Sequence, residues 1–231
     1  MQDPTRIFLL RHGQTAWNAE MRIQGQLDIP LNETGLWQAQ RLGAALQHEA
    51  IEALYSSDLL RACQTAAPLA AATGLQVQTD AALRERGFGR FEGQTYAAIE
   101  QQWPEEAQRW RLREPAFGPG GGEPLNAFYA RCVQAVTALA QRHPAQTIAI
   151  VAHGGVLDCI YRAAVHAELQ APRTWQLNNA VINRLLWTEE GPSGMRTCWS
   201  KAPPVQGQPS RGGDGGRTCG AVPHVGGGAV S

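Results

Sequence analysis

An apolar run, Ile7-Phe8-Leu9-Leu10, stops abruptly at Arg11-His12-Gly13. The pattern returns far downstream, where Ile148-Ala149-Ile150-Val151-Ala152 runs into His153-Gly154-Gly155. Short apolar runs without polar alternation read as strands covered on both faces, as in a parallel sheet. A strand that ends in a cation, an imidazole and a flexible turn brings polar groups to the lip of that sheet. Open α/β sheets hold their ligands there, outside the carboxyl ends of the strands. Two histidines presented in the same way therefore point to one shared site.

The rest of the chain fits this frame. Residues 6–10 read as a buried strand, followed by a loop to about Pro30. Asn32 can cap a helix whose apolar stripe is Leu36, Ala39, Leu42 and Leu46. Ile51–Tyr55 is a second strand. Ser56-Ser57-Asp58 offers capping oxygens to a helix from Leu59 to about Ala72, which Gly74 stops. Leu75–Val77 is a third short strand. From Leu83 to Pro124 the chain is loop-rich, with one helix expected from Tyr96 to Arg109 and the glycine run Pro119-Gly120-Gly121-Gly122 after it. Helices follow over Glu123–Arg142 and Val156–Ala167, on either side of the strand Thr147–Ala152. Ile182–Trp187 reads as an edge strand. Alternating strands and helices predict a three-layer α/β/α sandwich with a mostly parallel central sheet. The long middle connection is a cap over the carboxyl ends of the strands.

The composition changes near Lys201. Glycine and proline supply 13 of the last 31 residues, too little apolar side chain to offset chain entropy. The expected organisation is one domain over residues 1–200 and a disordered tail over 201–231, unless that terminus is read in the wrong frame. Formal net charge is zero, which gives no reason to expect nucleic acid or an anionic membrane as partner. Lys201 is the one lysine; every other basic residue is arginine, the better bidentate partner for phosphate oxygens. The five cysteines are odd in number and lack CxxC spacing, which argues against a disulfide framework or a zinc site. No apolar leader or membrane-length apolar run is present, so a soluble cytoplasmic protein is expected, monomeric or homodimeric.

Individual residues gain weight from their neighbours. Alone, His12 at a strand end reads as a hydrogen-bonding structural residue. Arg11 beside it would be costly to bury without an anion, Gly13 lets backbone approach a ligand, and Asn18 adds an amide donor. Arg61 lies one turn into the helix after the second strand, ordinarily a solvated arginine, but aimed into the same crevice it would hold an anion that also feels the helix N-terminus. Glu85 lies between Arg84 and Arg86, ordinarily a surface ion pair, but the surrounding glycines allow its turn to fold over a pocket mouth. His48, His143 and His166 fall near helix ends, where exposed imidazoles are ordinary. Trp103 and Trp110, with Phe88, Phe91 and Tyr96, are core residues or an apolar wall for a ligand's organic portion.

The blocks Arg11-His12-Gly13-Gln14-Thr15, Trp17-Asn18, Gln24-Gly25, Pro30-Leu31-Asn32-Glu33-Thr34-Gly35, Ser56-Ser57-Asp58-Leu59-Leu60-Arg61-Ala62-Cys63-Gln64-Thr65-Ala66, Leu83-Arg84-Glu85, Glu92-Gly93 and His153-Gly154-Gly155 together resemble the histidine phosphatase superfamily. Within it the likeness is to the branch of cofactor-dependent phosphoglycerate mutases and their phosphatase relatives, over residues 6–187. The resemblance implies that His12 is a nucleophile forming a phosphohistidine. It also implies that Arg11, Asn18, Arg61 and His153 hold the phosphoryl oxygens, that Glu85 is proton donor and acceptor, and that Gln24, Gly25 and the Gly154 backbone line the pocket. No metal and no cofactor are implied, since two arginines and a protonated His153 would neutralise the equatorial oxygens. His12 must meanwhile stay neutral at its attacking nitrogen.

Three activities fit the resemblance: phosphomonoester hydrolysis on a small phosphorylated metabolite, phosphoglycerate isomerisation, and phosphate-ligand binding without catalysis. The mutases of the family carry a longer basic insertion between the acid and the second histidine. The modest span from Glu85 to His153 favours the phosphatase, and the presence of both His12 and Glu85 disfavours a mere binder.

Overall fold

The computed structural model describes residues 3–188 and the backbone of 195–201; the tail expected over 201–231 lies, apart from Lys201, outside the described residues. Six strands form one sheet: β1 (Thr5–Arg11), β2 (Ala53–Ser56), β3 (Val77–Thr79), β4 (Thr147–Ala152), β5 (Ile182–Trp187) and β6 (Met195–Lys201). They lie in the order β3-β2-β4-β1-β5-β6. The first four are parallel to one another, and β5 runs antiparallel to both β1 and β6. The sequence marked β5 as an edge; β6 covers it, and its own hydrogen-bonding edges are both used.

The apolar runs divide between two faces with the two-residue period of a strand. Ile7, Leu9, Ile148 and Ile150 face a core shared with α6 (Leu125–Gln141) and α7 (Gly154–Val165). Phe8, Leu10, Ala149 and Val151 face the other core, made with α2 (Glu33–Leu46) and α3 (Leu60–Thr73). The result is the expected three-layer sandwich. Among the described residues no helix is long and apolar enough to cross a membrane.

Several local expectations hold and several fail. Asn32 caps α2 by accepting from Gly35 N at 2.8 Å, but Leu36 is exposed and Gly35 and Gly43 are buried in its place. Gly35 is excluded from carrying a side chain because the carbonyl of Gln14 presses on it. Gly74 stops α3 with a left-handed φ of 72°. At the start of α3, Ser57 Oγ accepts from Leu59 N at 3.3 Å and Asp28 Oδ1 from Leu60 N at 2.6 Å, while Asp58 pairs with Arg84.

The helix expected over Tyr96–Arg109 is two, α4 (Tyr96–Gln102) and α5 (Pro104–Arg111). Proline at 104 drives Trp103 out of the helical region, to φ −138° and ψ 64°. The remaining helix, α1 (Ala16–Ala19), is one turn closed by a capping box between Thr15 and Asn18. The cap has its own small core, in which Ile23, Phe91, Ile99 and Ala107 are buried and Trp103 and Trp110 pack on Phe91.

Candidate active site

The adjacency of β1 and β4 places the two sequence-marked histidines together. Arg11 pairs with Ala152 at the end of the ladder, and His12 N donates to Ala152 O at 3.0 Å. The rings of His12 and His153 then stand 5.1 Å apart, tilted by 57°. Nδ1 of His12 donates to the carbonyl of Gly13 at 2.7 Å. A carbonyl only accepts, so this bond fixes the proton on Nδ1 and leaves the lone pair on Nε2. Asn179, in the approach to β5, donates to both the His12 and Gly13 carbonyls, at 3.1 and 3.2 Å. Gly13 N donates to Thr65 Oγ1 at 3.0 Å, and a side chain at Gly13 would collide with the backbone of Gly35. The turn after β1 is thus held from three directions.

Two arginines reach the same place. Arg61, the second residue of α3, is buried and donates Nη1 to Leu27 O at 2.8 Å and Nη2 to Gly25 O at 2.7 Å. Arg11 donates to Leu177 O. The Nε of each is buried without an acceptor among the described residues, so each carries a donor fit for an anion. Burial pushes the Arg61 guanidinium down to about 10, against the attraction of Glu85. Asn18 uses its amide oxygen on Thr15 N and Asn179 Nδ2, which turns its own NH2 end to other partners. Gln24 is buried with its Oε1 unpartnered.

Burial, then Arg11 and Arg61, holds His12 well below the ordinary imidazole range. Burial, then Arg61 and His12, does the same to His153. A protonated His153 is the expectation; burial and the neighbouring cations work against the charged ring, and both of its nitrogens lack partners among the described residues. A bound phosphoryl dianion would supply the missing counter-charge and raise both histidines.

Glu85 is not the surface ion pair its arginine neighbours imply. Arg84 is taken by Asp58, and Arg86 donates to the carbonyls of Glu123 and Phe117. Glu85 Oε2 accepts from Gly155 N at 3.0 Å, in the first turn of α7, and Oε1 accepts from Arg86 N at 2.9 Å. Its charge raises both Arg11 and Arg61, so it belongs electrostatically to the histidine cluster.

Most of these groups border one cleft of about 570 Å³. Arg11, His12, Asn18, Gln24, Gly25, Arg61, Glu85 and Gly154 line it, while His153 is fully buried against His12. Of the aromatic residues, Phe88, Tyr96 and Trp110 line the cleft, the last two stacked at 5.3 Å; Phe91 and Trp103 serve the cap core. Sequence reasoning missed Asn179 and Asp158. The paired asparagines before β5 and an acid amid the apolar positions of α7 were the available signals. The assembly can accept an anion among arginines, attack it from a neutral imidazole, and move a proton on a carboxyl group opposite.

A profile of the histidine phosphatase superfamily (branch 1) matches residues 7–199. Phosphoglycerate mutase-like protein 4 of Arabidopsis thaliana is 42% identical over 165 residues, covering 70% of this chain and 72% of the relative. The probable phosphoglycerate mutase GpmB of Yersinia pestis is 34% identical over 189 residues, covering 80% and 86%. Among solved structures, a mycobacterial glucosyl-3-phosphoglycerate phosphatase superposes with a TM-score of 0.73 at 32% identity, covering 86% of this chain and 97% of its own. A phosphoserine phosphatase from Entamoeba histolytica gives 0.72 at 26% identity, covering 79% and 91%. With a profile match across the whole sheet and its cap, and relatives above 30% identity over most of its length, this chain belongs to branch 1 of the histidine phosphatase superfamily.

Proposed function

We propose that this protein is a metal-independent phosphomonoesterase acting on a small phosphorylated metabolite through a phosphohistidine on His12. The observation that carries the reading is the Nδ1–Gly13 carbonyl bond of His12, which leaves a lone pair on Nε2 in a cleft that Arg11 and Arg61 also line. Phosphoryl transfer asks mainly for alignment and charge stabilisation, and guanidinium groups supply the charge. His12 Nε2 attacks phosphorus, the bond to the leaving oxygen breaks, and that oxygen takes the proton of the Glu85 carboxyl. In the second half Glu85 takes a proton from water, the resulting hydroxide attacks phosphorus, and the P–N bond breaks. Inorganic phosphate and a neutral His12 result, and Glu85 again carries its proton.

The phosphatase names of the solved relatives support hydrolysis, whereas the mutase-like names of the sequence relatives favour isomerisation as the second reading. The purified protein should release phosphate from p-nitrophenyl phosphate in EDTA, and His12→Ala should abolish the release. Activity that survives His12→Ala would rule out the phosphohistidine. Incubation with 3-phosphoglycerate, with and without 2,3-bisphosphoglycerate, separates the two outcomes. Phosphate release in both conditions supports the phosphatase. A bisphosphoglycerate-dependent yield of 2-phosphoglycerate supports the mutase.

A further inference from the structure

The cleft also meets a buried ion cluster that the proposed hydrolysis does not use. Asp158, in the second turn of α7, is 4% exposed and lines the same cleft as His12. Its Oδ2 accepts from Arg113 Nη2 at 2.7 Å and from Arg162 Nε at 3.0 Å. Both arginines are themselves anchored. Arg113 donates to Leu169 O at 2.6 Å, and Arg162 donates to Glu168 O at 2.5 Å while lying over the ring of Trp175. The carboxyl group is thereby fixed in orientation, yet its Oδ1 is buried with no donor among the described residues.

A buried acceptor left unpaired is unfavourable, and a fixed one that borders a ligand cleft is suited to reading a ligand's donor. We infer that Asp158 determines specificity by accepting, at Oδ1, a hydrogen bond from a hydroxyl group on the organic portion of the substrate. The substrate class is then hydroxylated phosphomonoesters (phosphorylated polyols, sugars or hydroxy acids) in preference to plain alkyl phosphates. A hydroxyl suits the position better than an ammonium group, because Arg113 and Arg162 already hold the carboxyl and would repel a third cation. The aromatic faces of Tyr96 and Trp110 border the same space and can cover the carbon skeleton.

The inference rests on the phosphomonoester reading of the site, but binding of inert phosphonates tests it apart from turnover. Isothermal titration of the wild-type protein should find 3,4-dihydroxybutylphosphonate bound about 10- to 100-fold more tightly than butylphosphonate, the range for a hydrogen bond to a charged group. Asp158→Asn should shrink that ratio to about twofold or less. Equal or undetectable binding of both compounds by the wild type would overturn the inference even if the variant fails to fold. So would an Asp158→Asn protein that weakens both ligands alike, since that outcome marks a clamp for the cap and nothing more. Hydrolysis that survives His12→Ala, with the wild-type preference intact, would remove the proposed mechanism and leave the role of Asp158 standing.

Discussion

The position of the acid is set by the absence of a side chain at Gly155. A Cβ there would collide with Glu85 Oε1 and would stand 3.0 Å from the Phe128 ring; the backbone N–H at the same residue holds Glu85 Oε2. Alanine suits a helix better than glycine, so Gly155→Ala should fold while pushing the carboxyl group off its mark. A displacement of about 1 Å costs on the order of 100-fold in rate. That drop in kcat, at near-normal thermal stability, is the expected result. Wild-type kcat in this variant would mean that the observed Glu85 position is not the one used. At this scale legibility followed strand ends. His12, Arg11 and His153 stood out because charged and imidazole groups interrupt apolar runs. Glu85 was marked by the glycines around its turn and by the family pattern, but its bond to Gly155 joins residues seventy positions apart and is not legible locally. Asn179 and Asp158 were missed for the same reason: the fold, not local pattern, brings them to the site.

At the level of elements, apolar periodicity located the strands and long helices, whereas ends and breaks depended on tertiary contacts. A single helix was expected across Trp103-Pro104 because the apolar spacing continues through it, and the ring of Pro104 breaks it nonetheless. The α3 N-terminus shows the converse. Three capping side chains stand just before it, yet only Ser57 among them serves, on Leu59 N, and the oxygen on Leu60 N comes from Asp28, thirty-two residues earlier. The same loop gives its Gly25 and Leu27 carbonyls to Arg61, so the α3 N-terminus and the phosphate-side loop are tied at three points. Asp28→Ala should cost about 1 kcal/mol, the usual value of a cap. In a domain of this size that is a fall of roughly 2–4 °C in Tm, readable by calorimetry. An unchanged Tm would show that water replaces the cap at no cost. β5 was misjudged as an edge because β6 lies in sequence that reads as a Gly-Pro-flanked ending, with no alternation strong enough to mark a sixth strand.

On the scale of the whole molecule, burying two neutral imidazoles beside two guanidinium groups makes stability depend on pH in one direction. The folded state holds His12 and His153 well below the ordinary imidazole value, chiefly through burial, while the unfolded chain titrates near 6.5. Below about pH 6.5 the unfolded state therefore binds more protons, and stability falls as pH falls; above it the two histidines contribute no slope. Lowering the pH from 7.5 to 5.5 should therefore cost stability at both histidines, on the order of 1 kcal/mol each. Inorganic phosphate should blunt the loss, because a bound anion raises both histidines and lets the folded state take up the same protons. His153→Gln should remove roughly half of the slope and keep the sign. Denaturant titrations at several pH values, with and without phosphate, measure all three effects. A stability that stays flat from pH 7.5 to 5.5 without phosphate would mean that the imidazoles are not buried neutral. The neutral nucleophile on which the proposed chemistry depends would then be lost with them.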